Sequence, residues 1–490
     1  MGRVRDGGRD KQVKMMPTTH SKFPWTLEIE GLGPIKKASI QPAPLMLFVG
    51  DNGSGKTLLM SVLWGLTSWS WSRSLWDYRP LPTSFQVARQ WLRDMWNQDL
   101  PYRRRLDAND LRIIFDFVND LVAEKGPSYV RRLFNSPDLS LEVIRFVSKI
   151  VPGQVGIELQ CDGDKWSRSA DWRMRQEWTT EPEPCSVLTI DHFGEDLDDP
   201  GTIFHDVAML EGILVHVLWQ SALLPHYFPI LPSARTGVLL LYKSALQFSA
   251  QQSFNSVAAR DMPRLNLSQA HIEFMNWIGA EPMSLVGPFA DEADRLESEA
   301  LGGRIQVVSD PGRSNEFNFL PDGSTKPLQL HQSASMVTEL APLVLALRYR
   351  RDLKYLIIEE PEAHLNPKQI LAVARCLARL VNRGVNVWIT THSDLLIEQF
   401  NNLIRVGHIR TQTPSADGLR AEPESTRDYT DSELLQVDDI AAYQFEYREG
   451  GVEVEQLTVT HSGIPTPNLT ATTRKLAEEG YLLLEAMEPE

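Results

Sequence analysis

The feature that most constrains this chain is a glycine-rich turn between an apolar segment and a helical repeat. Residues 45–49 are continuously apolar, as in a strand that is buried on both faces. The turn Gly50-Asp51-Asn52-Gly53-Ser54-Gly55-Lys56-Thr57 follows, and apolar residues then recur at helical spacing from position 58 to position 66. A strand, a loop and a helix in this order predict an α/β fold with the loop at the edge of a sheet.

The turn matches the pattern GxxxxGK[ST], whose chemistry suits phosphate groups. Inward-pointing backbone N–H groups hold the negative charge, and glycines leave room for the phosphates to approach. We expect Lys56 to bridge the β- and γ-phosphates and the Thr57 hydroxyl to bind Mg²⁺. The expected ligands are therefore ATP and Mg²⁺. The predicted nucleotide-binding residues are Gly50, Asn52, Gly53, Ser54, Gly55, Lys56 and Thr57.

Further strands and helices are predicted on both sides of this motif. Residues 355–358 and 385–389 read as strands on either side of a helix that Gly384 ends, which implies parallel strands in a doubly wound sheet. Upstream, residues 27–30 and 38–40 alternate like strands around a turn, which predicts antiparallel β elements before the loop.

Two carboxylates follow the strand at 355–358. At the carboxyl end of a strand, where ligands bind in such sheets, adjacent side chains can reach one site. We expect Glu359 to hold the magnesium ion and Glu360 to orient or deprotonate the attacking water. The next strand runs into Thr390-Thr391-His392-Ser393, which predicts that His392 lies at the same edge and hydrogen-bonds the γ-phosphate.

The order of these motifs resembles that of the ABC-type ATPase superfamily. The segment 359–367 is similar to one in the overcoming-lysogenization-defect (OLD) group of ATPases and in standalone ATPase subunits of bacterial antiphage systems of the PARIS and Septu kind. The segments 33–35, 232–237 and 333–340 support this resemblance. It implies an ABC-type head in which Ser335 contacts ATP bound to a second subunit. Met336 departs from the usual glycine, and Glu359 from the usual aspartate.

The resemblance also predicts how the chain is divided. We expect a disordered basic extension at 1–22 and the first half of an ATPase head at 23–68. A large, mainly helical insertion with some β structure would form a lid and partner-binding region at 69–325. The second half of the head would occupy 326–410, and residues 411–490 would complete it with two strands and a helix starting at Thr473.

Composition narrows the partners and the compartment. The formal net charge of −15 repels nucleic acid, so DNA binding would need local basic patches such as 103–105, 131–132 or 348–351. Three widely separated cysteines indicate a reducing compartment, hence the cytoplasm, and disfavour structural zinc. The longest apolar stretch, 212–228, is interrupted by His216 and Pro225, so we expect no membrane partner.

These observations leave two functional hypotheses open. The 279 positions between Lys56 and Ser335 disfavour a transporter subunit, and no Asp-x-Asp follows Asn401, so we expect no nuclease activity in this chain. The first hypothesis is an ATPase that forms homodimers or larger homo-oligomers around ATP. It would act as a sensor or scaffold for a separately encoded effector, such as a nuclease, in antiphage defence. The alternative is a DNA-binding repair clamp. DNA or a phage component is a further candidate partner.

Overall fold

The structure is a computed structural model that describes most, but not all, of the chain. The described segments are 25–67, 82–96, 102–150, 155–161, 172–175, 186–192, 230–242, 267–280, 285–308, 315–411 and 428–465, with a few isolated positions. The predicted extension 1–22, the apolar stretch 212–228 and Thr473 lie outside these segments.

The described segments contain both helices and strands. The strands are β1 (Trp25–Leu32), β2 (Ile35–Ile40), β3 (Leu45–Gly50), β4 (Tyr102–Arg105), β5 (Val143–Ser148), β6 (Val155–Cys161), β7 (Trp172–Arg175), β8 (Ser186–His192), β9 (Ile230–Leu231), β10 (Gly303–Val308), β11 (Glu316–Pro321), β12 (Leu328–Gln329), β13 (Tyr355–Glu359), β14 (Asn386–Thr391), β15 (Ile440–Arg448) and β16 (Gly451–Leu457). The helices are α1 (Lys56–Thr67), α2 (Ser84–Trp96), α3 (Ala108–Leu133), α4 (Gln269–Ala280), α5 (Ala290–Leu296), α6 (Ser335–Tyr349), α7 (Pro367–Asn382) and α8 (Asp394–Thr411).

A mixed sheet of nine strands organises the molecule. Its order is β5-β1-β2-β16-β15-β3-β14-β13-β9. The strands from β15 to β9 are parallel, whereas β1 pairs antiparallel with both β2 and β5. The carboxyl ends of β15, β3, β14, β13 and β9 therefore meet at one edge, which is where ligands bind in parallel sheets.

The parallel strands are covered on both faces, which explains their continuous apolar sequence. Every residue of β3 is buried. Met46 and Phe48 point into a core with α1 and α3, and Leu45, Leu47 and Val49 point into a second core with α6, α7 and α8. A strand that is buried on both faces needs apolar residues at every position, as the sequence predicts.

Local sequence signals fix the two ends of α7, the helix that connects the parallel strands β13 and β14. Asn366 begins α7 with a capping box in which its side chain and that of Gln369 satisfy each other's backbone N–H groups. Gly384 ends the connection with a φ of 87°, which favours glycine. The predicted strand–helix–strand unit is confirmed, and its two strands pair in parallel.

Two strands of the predicted insertion belong to the large sheet. Within 69–325, β5 pairs with β1 and β9 pairs with β13. The same segment also contains a four-stranded sheet, β4-β6-β8-β7, and part of a three-stranded sheet, β10-β11-β12. It therefore supplies edge strands to the sheet that carries the glycine loop. The domain boundaries themselves stay a prediction.

No helix in the described segments is both long and apolar enough to cross a membrane.

Candidate functional site

The glycine-rich loop lies between the end of β3 and the start of α1. Three of its glycines have positive φ angles: 145° at Gly50, 79° at Gly53 and 91° at Gly55. A methyl group on Gly50 would overlap the carbonyl oxygen of Phe445 on the neighbouring β15. Both the backbone conformation and the close approach of β15 therefore require glycine at the first position of the loop.

The lysine of the loop folds back over the loop's own backbone. The Lys56 ammonium donates hydrogen bonds to the carbonyl oxygens of Gly50 and Asp51, each at 2.7 Å. An ammonium group has three N–H bonds, so one donor is left for a phosphate oxygen. Burial lowers the pKa of Lys56, and the carboxylates of Glu360, Asp51 and Glu362 oppose this shift. Their influence links the loop electrostatically to the acidic end of β13.

The loop offers other groups that suit a chain of phosphates. The Ser54 hydroxyl is fully buried and has no hydrogen-bond partner among the described residues. Asn52 and Thr57 are exposed. A buried donor without a partner costs free energy, and a phosphate oxygen would satisfy it. The residues predicted to bind nucleotide therefore fit this ligand chemically.

Glu359 is almost completely buried at the end of β13, with 2% of its surface exposed. One oxygen accepts a hydrogen bond from the Ser61 hydroxyl at 3.4 Å, and the other accepts one from the Ser233 backbone N–H at 3.0 Å. Burial raises the pKa of this carboxyl to about 7. Ser61 lies one helical turn after Thr57, so the carboxylate is directed towards the same face of α1.

Glu360, predicted as the catalytic carboxylate, is more accessible. Its φ of 46° is unusual for a residue other than glycine, and its backbone N–H donates to the Thr390 carbonyl oxygen at 2.9 Å. Conformations of this kind often occur at functional sites. The His392 Nδ1 lies 3.9 Å from a Glu360 carboxylate oxygen. The structure therefore brings together the two side chains that were predicted as catalytic.

Sequence reasoning assigned no role to Glu362, which connects the same two strand ends. Its Oε1 accepts hydrogen bonds from the Thr391 hydroxyl at 2.6 Å and the His392 backbone N–H at 2.9 Å. The His392 Nδ1 lies 3.5 Å from this oxygen. Glu362 is 6% exposed, and its Oε2 has no hydrogen-bond partner in the described segments. The Glu-Glu-Pro-Glu spacing was the one signal available for it.

Ser335 is the exposed first residue of α6. No side chain caps this helix, and within the described chain no hydrogen bond joins Ser335 to the glycine loop. Met336, the departure from glycine, is half-buried, and its sulfur contacts the Gln369 side-chain amide. The methionine thus packs the start of α6 against the start of α7, and the Val337 N–H donates to the Ala334 carbonyl oxygen at 2.9 Å.

A magnesium ion would depend on the nucleotide as well as on the protein. The described segments contain no group of three or more His, Cys, Asp or Glu side chains that could hold a metal ion. Magnesium is typically bound by one or two carboxylates together with phosphate oxygens. Thr57 and Glu359 fit such a partial set.

One family model matches part of the chain. Residues 248–398 match a family described as "AAA domain, putative AbiEii toxin, Type IV TA system". The matched segment contains Glu359, Glu360 and His392 but begins well after the glycine loop. The chain has the fold of a P-loop NTPase. The family match and the loop geometry together support an ATPase domain.

Solved structures similar to this chain include heads of SMC proteins. An SMC head domain from Pyrococcus furiosus, bound to the C-terminal domain of ScpA, is 12% identical, with 93% of this chain and 98% of that chain covered and a TM-score of 0.36. An SMC head from Thermotoga maritima is 10% identical, with 89% and 98% covered and a TM-score of 0.31. Likeness of this size indicates nothing about function. No curated protein matches the sequence.

Proposed function

We propose that this protein is an ABC-type ATPase whose nucleotide site is completed by a second copy of the chain. The observation that carries this proposal is that two sets of candidate site residues lie apart. Lys56, Glu360 and His392 meet at one sheet edge, whereas the exposed Ser335 begins a helix that no side chain caps. An exposed helix start without a side-chain cap suits a phosphate, and a homodimer would bring it to the partner's ATP.

Each residue at the sheet edge has a role in this proposal. The amides between Gly50 and Thr57 and the Lys56 ammonium hold the phosphates. Glu360 orients and deprotonates the attacking water, and His392 hydrogen-bonds the γ-phosphate. Thr57 and Glu359 would hold Mg²⁺, which neutralises phosphate charge when it is bound.

In the cell we propose a sensor or scaffold role in antiphage defence, in which ATP-dependent assembly controls a separately encoded effector. The support is the resemblance of 359–367 to the OLD group and its standalone relatives. In two of the three basic patches considered for a DNA clamp, an arginine is ion-paired within the chain. Arg104 forms an ion pair with Asp110, and Arg348 forms ion pairs with Asp294 and Glu297.

The test is the ATP-dependent mass of the Glu360→Gln variant, measured by light scattering after size exclusion. We expect it to bind ATP and to accumulate as a dimer or larger assembly, with ATP turnover reduced roughly 100-fold or more, as for loss of a general base. Lys56→Ala should stay unassembled under the same conditions. Equal turnover in wild type and Glu360→Gln would exclude Glu360 as the catalytic carboxylate.

A further inference from the structure

A buried arginine at the start of the helical segment after β9 joins three parts of the candidate site. Arg235 is 2% exposed, and it donates four hydrogen bonds to backbone carbonyl oxygens and forms one ion pair. The Nε group donates to the Glu339 carbonyl oxygen at 3.2 Å. The Nη1 group donates to the carbonyl oxygens of Pro232 at 3.3 Å and Glu359 at 2.6 Å. The Nη2 group donates to the Glu360 carbonyl oxygen at 3.1 Å and contacts Glu339 Oε1 at 2.5 Å.

This arrangement excludes a direct contact between Arg235 and nucleotide or a partner in the present conformation. Its ionic partner Glu339 is 1% exposed and also accepts a hydrogen bond from the Thr236 hydroxyl. Removing two charges from water costs several kcal/mol per ion, so a buried ion pair is weak evidence of stability. The four backbone carbonyl oxygens that accept from Arg235 instead point to a role in holding backbone atoms in place.

Arg235 connects α6, whose first residue is exposed, with the buried end of β13. Glu339 lies in α6, one helical turn after the exposed Ser335. The Glu360 carbonyl belongs to the residue with the catalytic carboxylate, which has a left-handed backbone. The turn before Arg235 also binds the Glu359 side chain through the Ser233 N–H. A shift of the Ser335 end of α6 would therefore reach the backbone of Glu360 through one rigid, planar group.

We propose that Arg235 is a positioning residue that couples the engagement of α6 to the placement of the Glu360 carboxylate. This inference rests on the proposed function, because the α6 end is engaged by ATP bound to the partner subunit. Lysine cannot replace this arginine, because an ammonium has three N–H bonds at one point and cannot span both Glu339 and the two strand-end carbonyls.

The experiment compares Arg235→Lys with Arg379→Lys. Arg379 is the matched control because it is 1% exposed and forms ion pairs with Glu292 and Glu433, away from the site. We expect Arg235→Lys to retain the ATP dissociation constant and ATP-dependent assembly of wild type, while kcat falls roughly 10- to 100-fold, as for a misplaced catalytic group. Arg379→Lys should lower the melting temperature to a similar extent and keep kcat.

A double variant separates coupling from simple damage. Ser335→Arg blocks the α6 end, so it should lower kcat by preventing engagement in trans. If Arg235 transmits that engagement, the double variant Ser335→Arg/Arg235→Lys is no slower than the slower single variant. If the two fold-losses multiply, the residues act independently and the coupling is wrong.

A second pair of variants keeps the inference testable if Arg235→Lys does not fold. Glu339→Gln preserves side-chain volume but removes the charge that faces Arg235, and it should lower kcat without weakening ATP binding. Glu433→Gln, at an equally buried ion-paired glutamate, should not lower kcat. A wild-type kcat in folded Arg235→Lys or Glu339→Gln overturns this inference alone. A wild type that does not assemble with ATP, or that is insensitive to Ser335→Arg, overturns the proposed function as well.

Discussion

The glycine loop and the acidic end of β13 lie at the same edge of one sheet but are held in different ways. The loop is held by backbone conformation, with positive φ angles at three glycines and a lysine bonded to its own turn. The strand end is held by side chains from distant segments. Arg235 reaches the Glu359 carbonyl across 124 positions, and Ser61 reaches the Glu359 carboxylate across 298.

The difference suggests that the glycine loop determines ATP binding and that the acidic end of β13 determines ATP turnover. A loop built from its own backbone can bind phosphates without depending on the rest of the fold. A strand end held by buried side chains from elsewhere can respond when those segments move. Substitutions in the loop should therefore affect ATP binding, and substitutions around the strand end should affect turnover at constant binding.

The largest expected effect is that of Lys56→Ala on binding. We expect ATP affinity to fall roughly 100-fold, because charge-assisted hydrogen bonds to the phosphates are lost. Calorimetric titration with ATP measures the change. The control is Lys37→Ala, which removes an exposed lysine paired with Glu30 and should bind ATP as wild type does. Unchanged ATP affinity in Lys56→Ala would contradict the claim that the glycine loop determines ATP binding.

An intermediate effect is expected for Glu362→Gln, which should lower kcat without changing ATP affinity. The amide weakens the hold on Thr391 and His392 and should lower kcat roughly tenfold through misplacement of the histidine. Steady-state ATPase assays and ATP titration on the same preparation separate the two quantities. Glu297→Gln is a buried control outside the site, and we expect it to keep kcat. Weaker ATP binding in Glu362→Gln with unchanged kcat would contradict the assignment of ATP binding to the loop and of turnover to the strand end.

The smallest effect is expected for Gly384→Ala, at a position outside both the glycine loop and the acidic end of β13. A methyl group there meets no atom within 4 Å, so the cost is that of a left-handed backbone, about 1 kcal/mol of unfolding free energy. Thermal denaturation measures the loss, and both ATP affinity and kcat should match wild type. An altered kcat would show that the connection between α7 and β14 takes part in the site.

Features that lie within one continuous stretch of sequence were predicted, whereas contacts that depend on which strands are neighbours were not. The glycine loop, the strand that ends in Glu359 and the strand before His392 each lie within one continuous motif, and the fold places all three at one sheet edge. The antiparallel strands β1 and β2 were also predicted, but not that β5 and β9 would extend the same sheet. The Arg235 network and the contact between Ser61 and Glu359 could not be predicted, because they depend on which strands are neighbours. The pairing of β9 with β13 brings Arg235, at the start of the following helical segment, to the strand end.

The most direct test of the account mixes two inactive variants, Lys56→Ala and Ser335→Arg. In a symmetric dimer whose sites each combine the loop of one subunit with Ser335 of the other, a mixed dimer has one intact site. We predict that each variant alone is inactive and that the equimolar mixture recovers up to roughly half of wild-type ATP turnover, because only mixed dimers contain an intact site and each has one of two. A mixture as inactive as its components, while ATP-dependent assembly of the wild type is intact, would contradict a site shared between two copies of the chain.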